Sequence, residues 1–538
     1  MIRVKNHKQL EIFDPWAFLS PKRRQMLDES WAGLFQKEIL PVLPVRAIMP
    51  HFDSSLGRPT KELYAVLGVQ VLQQTFDLTD QETICQFAYN IQWHYALNVT
   101  EESDSAKYLS AKTLWNNRYL ISENELEALI LDAITDKLAE IFKTNTGTQR
   151  IDSVHIKSNM RRLGRICIFT ETMHKFLVNL KRGHRAYFDT VEKRIVDKYF
   201  AEKALGCFSM VKPSAAQKTL SDVSKDLYEL VEQFKTHSEV TSMHSYKLMQ
   251  RVLNEQCNLT PSDTKEPVKV KKPKEIPSDS LQNPSDPDAT YSGHKGQGYQ
   301  VQIMETFCDD EQAKKNTLNL ITEVHVEPAH NSDANALIPA IESTKEQGLM
   351  PEVLLADSLY GSDDNAEYAK KEGVDLVAPT MGTAKKDKLS LSDFEVSEND
   401  TIVACPNGQS PVEIKRKNNR VTIAFDSDQC KDCPRREHCP VKDGKKFCYL
   451  RYTDKELRIA KRRAYEQTDQ FKDRYRWRAG VEATMSEYDR KTGVKRLRVR
   501  GLKAVRFCAT LKAAGVNIMR AAAVRMAGFA PEEVSYGV

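Results

Sequence analysis

Apolar positions recur at three- and four-residue intervals through the first part of the chain. They run through Leu63, Val66, Leu67, Val71 and Leu72, then Ile84, Phe87, Ile91, Trp93 and Leu97, and later Leu126, Ile130 and Leu138. That period predicts amphipathic helices over residues 1–146. Thr79 precedes Glu82 by three, the spacing of a capping box, and Gly57-Arg58-Pro59-Thr60 reads as another helix start. From Thr148 the period changes. Residues 149–156 alternate as a strand, and the chain turns helical again from Asn159 to about Glu255. Residues 258–290 hold many Pro, Lys, Ser and Asp and almost no apolar side chains, which reads as a linker or an ordered loop without a core. Strand signals return at Tyr299–Glu305 and Leu320–Val326. A helix at about Ala334–Gln347, a strand at Val353–Ala356, a helix at about Asn365–Glu372 and a strand at Val374–Ala378 follow.

Three strands, then helix, strand, helix, strand and a late helix predict a mixed α/β fold, a sheet flanked by helices. It is the order of a ribonuclease H-like core, interrupted twice. The expected division is a helical N-terminal domain (1–146), the first core strand (147–163), a helical insertion with a polar linker (164–290), the core (291–380), a Cys-rich insertion (381–454), and a last core helix with a basic C-terminal segment (455–538).

Composition narrows the class. At 538 residues the chain is too long for one ordinary core, and about two to four domains are expected. The net charge of +5 is modest, so the placement of charge matters more than its total. No apolar stretch reads as a membrane span, and Met-Ile-Arg-Val-Lys-Asn-His lacks the apolar core of a signal peptide. A cytoplasmic protein is expected, in which the eleven Cys do not form a disulfide framework.

Two acids stand at strands. Asp152 lies inside the alternating run Arg-Ile-Asp-Ser-Val-His-Ile-Lys, where a carboxylate is costly unless a cation satisfies it. Asp357 follows the apolar Val-Leu-Leu-Ala, a position that suits a helix cap as well as a metal ligand. A third acid, Glu482, falls in the helix-forming run from Tyr475 to Arg490, and helical spacing puts Tyr475, Arg478 and Glu482 on one face. Two strand Asp residues and a helix Glu suit hard Mg²⁺ or Mn²⁺, and two such ions roughly 4 Å apart serve in-line phosphodiester displacement. His155 reads as a strand-face residue near the site, and His330 as part of the turn before a helix capped by Asp333.

The segments Asp152-Ser-Val-His-Ile-Lys-Ser-Asn, Ala356-Asp-Ser-Leu-Tyr-Gly-Ser and Tyr475-x-x-Arg-x-x-x-Glu resemble the DDE transposases of bacterial insertion sequences. More narrowly, they are similar to the branch with a helical N-terminal domain and a Tyr-Arg-Glu-Lys signature, over nearly the whole chain. The resemblance implies that Asp152, Asp357 and Glu482 are catalytic ligands of two metal ions, and that Tyr475 and Arg478 contact phosphates at the transposon end. It also implies double-stranded DNA as partner, a homodimer on paired inverted repeats, strand cleavage, and strand transfer by the 3′-hydroxyl. The signature's Lys falls at Asp489, with Arg490 or Lys491 as the candidates to replace it. That departure keeps a second reading open, a domesticated or decayed descendant that binds DNA without cutting. A nuclease without strand transfer is a third.

Five Cys fall between Cys405 and Cys448. Cys405, Cys430, Cys433 and Cys439 have the spacing of a structural zinc site, with His438 and Cys448 as alternative fourth ligands. Arg435, Arg436, Lys442, Lys445 and Lys446 would present positive charge beside it. Charge also gathers at Lys461-Arg-Arg463 and around Arg490, Lys491, Lys495, Arg496, Arg498 and Arg500. In the second group it alternates with Val494, Leu497, Val499 and Leu502, a looped or strand-like segment packed on one side and gripping phosphate on the other. Base readout falls to a helix-turn-helix across Leu63–Leu97, unless those helices are a dimerisation unit.

Overall fold

The computed structural model describes residues 2–7, 9, 14–53, 59–201, 206–260, 267–313, 317–382, 388–397 and 399–529, the side chains of 207, 209 and 529 excepted. Gly57 and Arg58 of the expected helix start, and 261–266 of the expected linker, lie outside these residues.

The expected alternation is present. Strand β1 (Thr148–Lys157) pairs antiparallel with β2 (Gly296–Thr306), which pairs antiparallel with β3 (Ile321–Pro328). On its other edge β1 runs parallel to β4 (Val353–Leu355), and β4 runs parallel to β5 (Asp375–Val377). The order β3-β2-β1-β4-β5 is consistent with a ribonuclease H-like core. Helices α1 (Leu337–Glu346) and α2 (Asp363–Lys371) cover one face, meeting Ile151, Met304 and Leu354. The opposite face carries Val154, Ile156, Val301 and Ile303.

That second face is covered from both ends of the chain. Helix α3 (Gly480–Thr492) brings Val481, Met485 and Tyr488 to it, and α4 (Leu502–Phe529) brings Leu511, Ala514 and Ile518. The N-terminal helices close over α4 in the same core. Asn517 ties α4 to the sheet edge, accepting from Ile321 N at 2.8 Å and donating to Ile321 O at 2.8 Å. By length and composition α4 is long and apolar enough to cross a membrane over Leu502–Gly528, but 78% of its apolar 18-residue window is buried inside the protein.

Thr79 and Glu82 form the capping box of the helix Asp80–Tyr89. The helix Leu63–Thr75, the first member of the expected helix-turn-helix, is buried along nearly its whole length. Gln70, Gln73 and Gln74 are polar positions that look solvated, yet all three are buried, and Gln70 Nε2 donates to Leu114 O at 3.0 Å.

Residues 165–256 fold around their own apolar centre of Phe169, Phe176, Leu227, Phe234 and Tyr246. The described part of the polar stretch after them holds a short strand, Val268–Val270, and is tied to the core further on. Asp286 accepts from Ser158 Oγ at 2.6 Å, Tyr299 Oη at 2.5 Å and Gly501 N at 3.0 Å, which joins the loop to the sheet and to the start of α4.

Candidate active site

The sheet register brings the two strand acids together. Arg150 of β1 pairs with Leu355 of β4, and Asp152 and Asp357 each lie two residues further on. Asp357 closes the turn after β4, its Oδ1 accepting from Leu359 N at 2.7 Å, so it caps a turn as well as facing Asp152. The Asp152 carboxyl stands above its ordinary range. Burial is the main cause, and Asp357 and Asp333 push the same way against the opposing pull of Arg478 and the Ser153 amide.

The turn carrying Asp357 is packed from two sides. Tyr360 is fully buried, and its hydroxyl donates to Gln302 of β2. Gln302 Nε2 in turn donates to Glu327 and Asp333, both at 2.9 Å. Asp333 is therefore a buried member of this layer, and Ser332 is the residue whose side chain caps the following turn. Gly361 lies so close to Pro379 that an added Cβ would overlap its carbonyl oxygen and sit 3.0 Å from its carbonyl carbon.

The run from Tyr475 to Arg490 is not one helix. A helix ends at Tyr475, residues Arg476–Ala479 form a 3₁₀ turn, and α3 starts at Gly480. Tyr475 stays within electrostatic reach of Arg478, Asp357 and Asp152, and its ring stacks on Phe471 with centroids 5.3 Å apart. Burial raises its phenol above the usual range. Arg478 and Glu482 still meet, 3.4 Å apart, and Arg478 Nη2 donates to Asp152 Oδ2 at 2.7 Å. The side chains of Asp152 and Arg478 are 16% and 18% exposed, whereas Glu482 is 72% exposed.

The break has a cause far away in sequence. Glu305 of β2 is fully buried and takes hydrogen bonds from Arg150 at 2.8 Å, Thr484 at 2.7 Å and Arg520 at 3.1 Å. Arg150 also donates to Trp477 O at 2.8 Å and so holds the 3₁₀ turn from below. Thr484 and Arg520 fix α3 and α4 to the same carboxylate. None of these residues stood out in the sequence; the signals were Arg150, two positions before Asp152, and an acid at the end of an apolar strand.

Among the described residues, no three His, Cys, Asp or Glu side chains stand together as a metal-holding group. The donor chemistry at this site nonetheless fits Mg²⁺ or Mn²⁺. Asp152 and Asp357 supply hard carboxylate oxygens side by side, and Glu482 is separated from Asp152 only by the guanidinium of Arg478. His155 belongs to β1, with both ring nitrogens buried, and burial lowers it to about 4. His330 is held in its turn by Thr290.

Zinc is not supported, since among the described residues no three metal-holding side chains stand together, although Cys439 lies within electrostatic reach of Cys405 and Cys433. Residues 413–453 build a four-stranded sheet whose centre holds Val421, Ile423, Phe425, Leu450 and Tyr452, so this insertion does have an apolar core to fold on. Cys405, Cys430 and Cys439 pack against that core, and Cys448 is buried within it. Burial, then Cys448, pushes the Cys430 thiol up to about 12, and burial raises Cys439.

The basic positions divide by partner. Lys491 pairs with Glu487, Lys495 with Asp489, and Arg498 with Asp77; Arg500 donates to the Met160 sulfur. Arg490 and Arg496 are exposed and make no ion pair among the described residues. Val494 and Leu497 are buried beneath this segment, as the alternation predicts. Further upstream, Arg462 is drawn inward to Gly361 O, Ser362 O and Ala378 O, Lys461 pairs with Asp400, and Arg463 donates to Gly382 O.

Residues 404–522 match a family model described as a transposase DDE domain, and residues 29–120 match one described as a transposase domain (DUF772). The first span contains Arg478 and Glu482 along with the basic segment, and Asp152 and Asp357 lie between the two spans. No curated protein and no solved structure matches.

Proposed function

We infer from the two matches an insertion-sequence DDE transposase, one that binds the terminal inverted repeats of its element, cuts a strand at each end and joins the 3′-hydroxyl to target DNA. The observation that carries this reading is the register that places Asp152 beside Asp357, with Glu482 across a single guanidinium.

Asp152, Asp357 and Glu482 would hold two Mg²⁺ or Mn²⁺ ions. Bound there, such ions supply charge stabilisation for the attacking and departing oxygens of the phosphodiester. The protein's own part is positioning. The Arg150–Glu305 pair fixes the turn from which Arg478 projects, and Arg478 has the paired donors that a phosphate accepts. Arg490 and Arg496, with no acid to hold them, are the strongest candidates for backbone phosphates, and Lys491, Lys495, Arg498 and Arg500 line the same segment. Two copies, each on one end, would work as a homodimer in the cytoplasm, where its DNA substrate lies.

The test is cleavage of a labelled duplex carrying the element's own end in Mg²⁺. Asp152→Asn, Asp357→Asn and Glu482→Gln should each abolish nicking and leave end binding in place. Full cleavage by any one variant removes that residue from the ligand set. Binding without cutting by the natural chain would turn the reading to a decayed, DNA-binding descendant. Asp489 would then be the first residue to revert to Lys, since its carboxylate now holds Lys495 through the backbone amide at 3.2 Å and the ammonium at 3.5 Å.

A further inference from the structure

Both oxygens of the Asp152 carboxylate are engaged. Oδ1 accepts from the Ser153 amide at 2.8 Å, and Oδ2 accepts from Arg478 Nη2 at 2.7 Å. The same guanidinium reaches Glu482 through Nη1 at 3.4 Å, so it stands between the first and third acids of the site. A divalent cation needs the same oxygens, and two cations drawn to one carboxylate repel each other. Arg478 also has capacity to spare. Its Nε is buried and has no hydrogen-bond partner, although a guanidinium makes its best contacts with two parallel donors on one phosphate or carboxylate.

Building on the transposase reading above, we propose that Arg478 is an interlock between metal and DNA. In the free chain it occupies Asp152 and keeps divalent ions off the site. A phosphate of the DNA end draws the guanidinium away, which releases Asp152 and Glu482 together. Metal and DNA therefore load cooperatively, and by linkage DNA raises metal affinity by the same factor that metal raises DNA affinity.

Mn²⁺ binding to the full chain, followed by loss of the free-ion electron paramagnetic resonance signal, reads this without any cleavage. Arg478→Gln should bind Mn²⁺ at least about tenfold more tightly than the natural chain in the absence of DNA. A duplex carrying the element's own end should tighten the natural chain by a similar factor and change Arg478→Gln by less than about threefold. Adding Asp152→Asn to Arg478→Gln should return binding to the weak level. Equal or weaker Mn²⁺ binding by Arg478→Gln overturns the interlock. So does a duplex that leaves the natural chain's Mn²⁺ affinity unchanged, a measurement that requires no variant to fold. The two failures are separable. If Asp152→Asn abolishes binding but Arg478→Gln behaves like the natural chain, the metal site stands and only the interlock falls. If Asp152→Asn changes nothing, the metal site itself is misplaced.

Discussion

Gly480 opens α3 with ordinary helical angles, φ −63° and ψ −19°, so conformational freedom does not explain a glycine there. Space does. A Cβ on Gly480 would overlap Arg150 Nη1 and lie 2.8 Å from Cζ and 3.0 Å from Nη2. The end of an arginine ordinarily swings aside at little cost. This one is 8% exposed, holds the fully buried Glu305 through Nε and Nη2, and holds Trp477 O through Nη1. Retreating far enough for Gly480→Ala means loosening those bonds. Breaking a buried ion pair costs about 3–5 kcal/mol, and the figure here is nearer about 2–3 because Thr484 and Arg520 still satisfy Glu305. Alanine's better helix propensity returns up to about 1 kcal/mol. The clash therefore wins, with a net loss of about 1–2 kcal/mol. Denaturant midpoints at constant slope measure it. In an Arg150→Lys background, whose ammonium ends short of Gly480, the alanine should cost nothing or stabilise, a coupling of about 2 kcal/mol. A neutral Gly480→Ala, or the same cost in both backgrounds, refutes the argument that Arg150 positions the turn carrying Arg478.

The other predictions test separate parts of the molecule. Gly361→Ala, whose Cβ would meet the Pro379 backbone, should cost about 2–3 kcal/mol in thermal unfolding, and a neutral result would mean the Asp357 turn is not wedged there. The Asp132 carboxyl is pushed up to about 7, by burial first and then by Glu323 and Asp136. Its folded value lies above its unfolded one, so the stability it contributes is full below about pH 4 and is lost as pH rises to about 7. Asp132→Asn, which keeps an oxygen for Gln347 Nε2 at 2.7 Å, should therefore stabilise the fold by about 1–3 kcal/mol at pH 8 and by little at pH 4, and the reverse pH order would sink the idea. On DNA, Arg496→Ala should lower the slope of log affinity against log salt by about one unit, while Arg498→Ala, whose guanidinium already clamps Asp77, should leave the slope nearly unchanged.

How much of this was legible in the sequence depended on whether the signal was local. Strand alternation and the spacing of apolar runs placed the five core strands to within three residues of their ends. That order set the strand of Asp152 beside the one that leads to Asp357. The 3₁₀ break after Tyr475 was not legible, because Arg150, the residue that holds it, lies more than three hundred positions away. The buried helix Leu63–Thr75 looked amphipathic because its glutamines find partners inside the protein. Cysteine spacing named four candidate ligands but could not show that their surroundings fold on apolar side chains instead.

Arg150 and Arg478 show why such positions resist reading from the chain alone. Each is an arginine near an acid, and spacing gives them no distinguishing mark. What separates them is the acid each one meets. Glu305 is fully buried and shared among Arg150, Thr484 and Arg520, while Arg150 also holds Trp477 O, so any movement of Arg150 breaks several bonds at once. Asp152 is partly open, has Arg478 and one amide as its donors among the described residues, and is raised first by burial and then by neighbouring acids that would favour a cation of higher charge. Arg478 keeps an idle Nε and a neighbour, Glu482, that is mostly in solvent. The same side chain is therefore a fixed strut in one place and a displaceable counter-ion in the other. Arg150→Lys should accordingly register chiefly as lost stability, whereas Arg478→Gln should register chiefly as altered binding of metal and DNA.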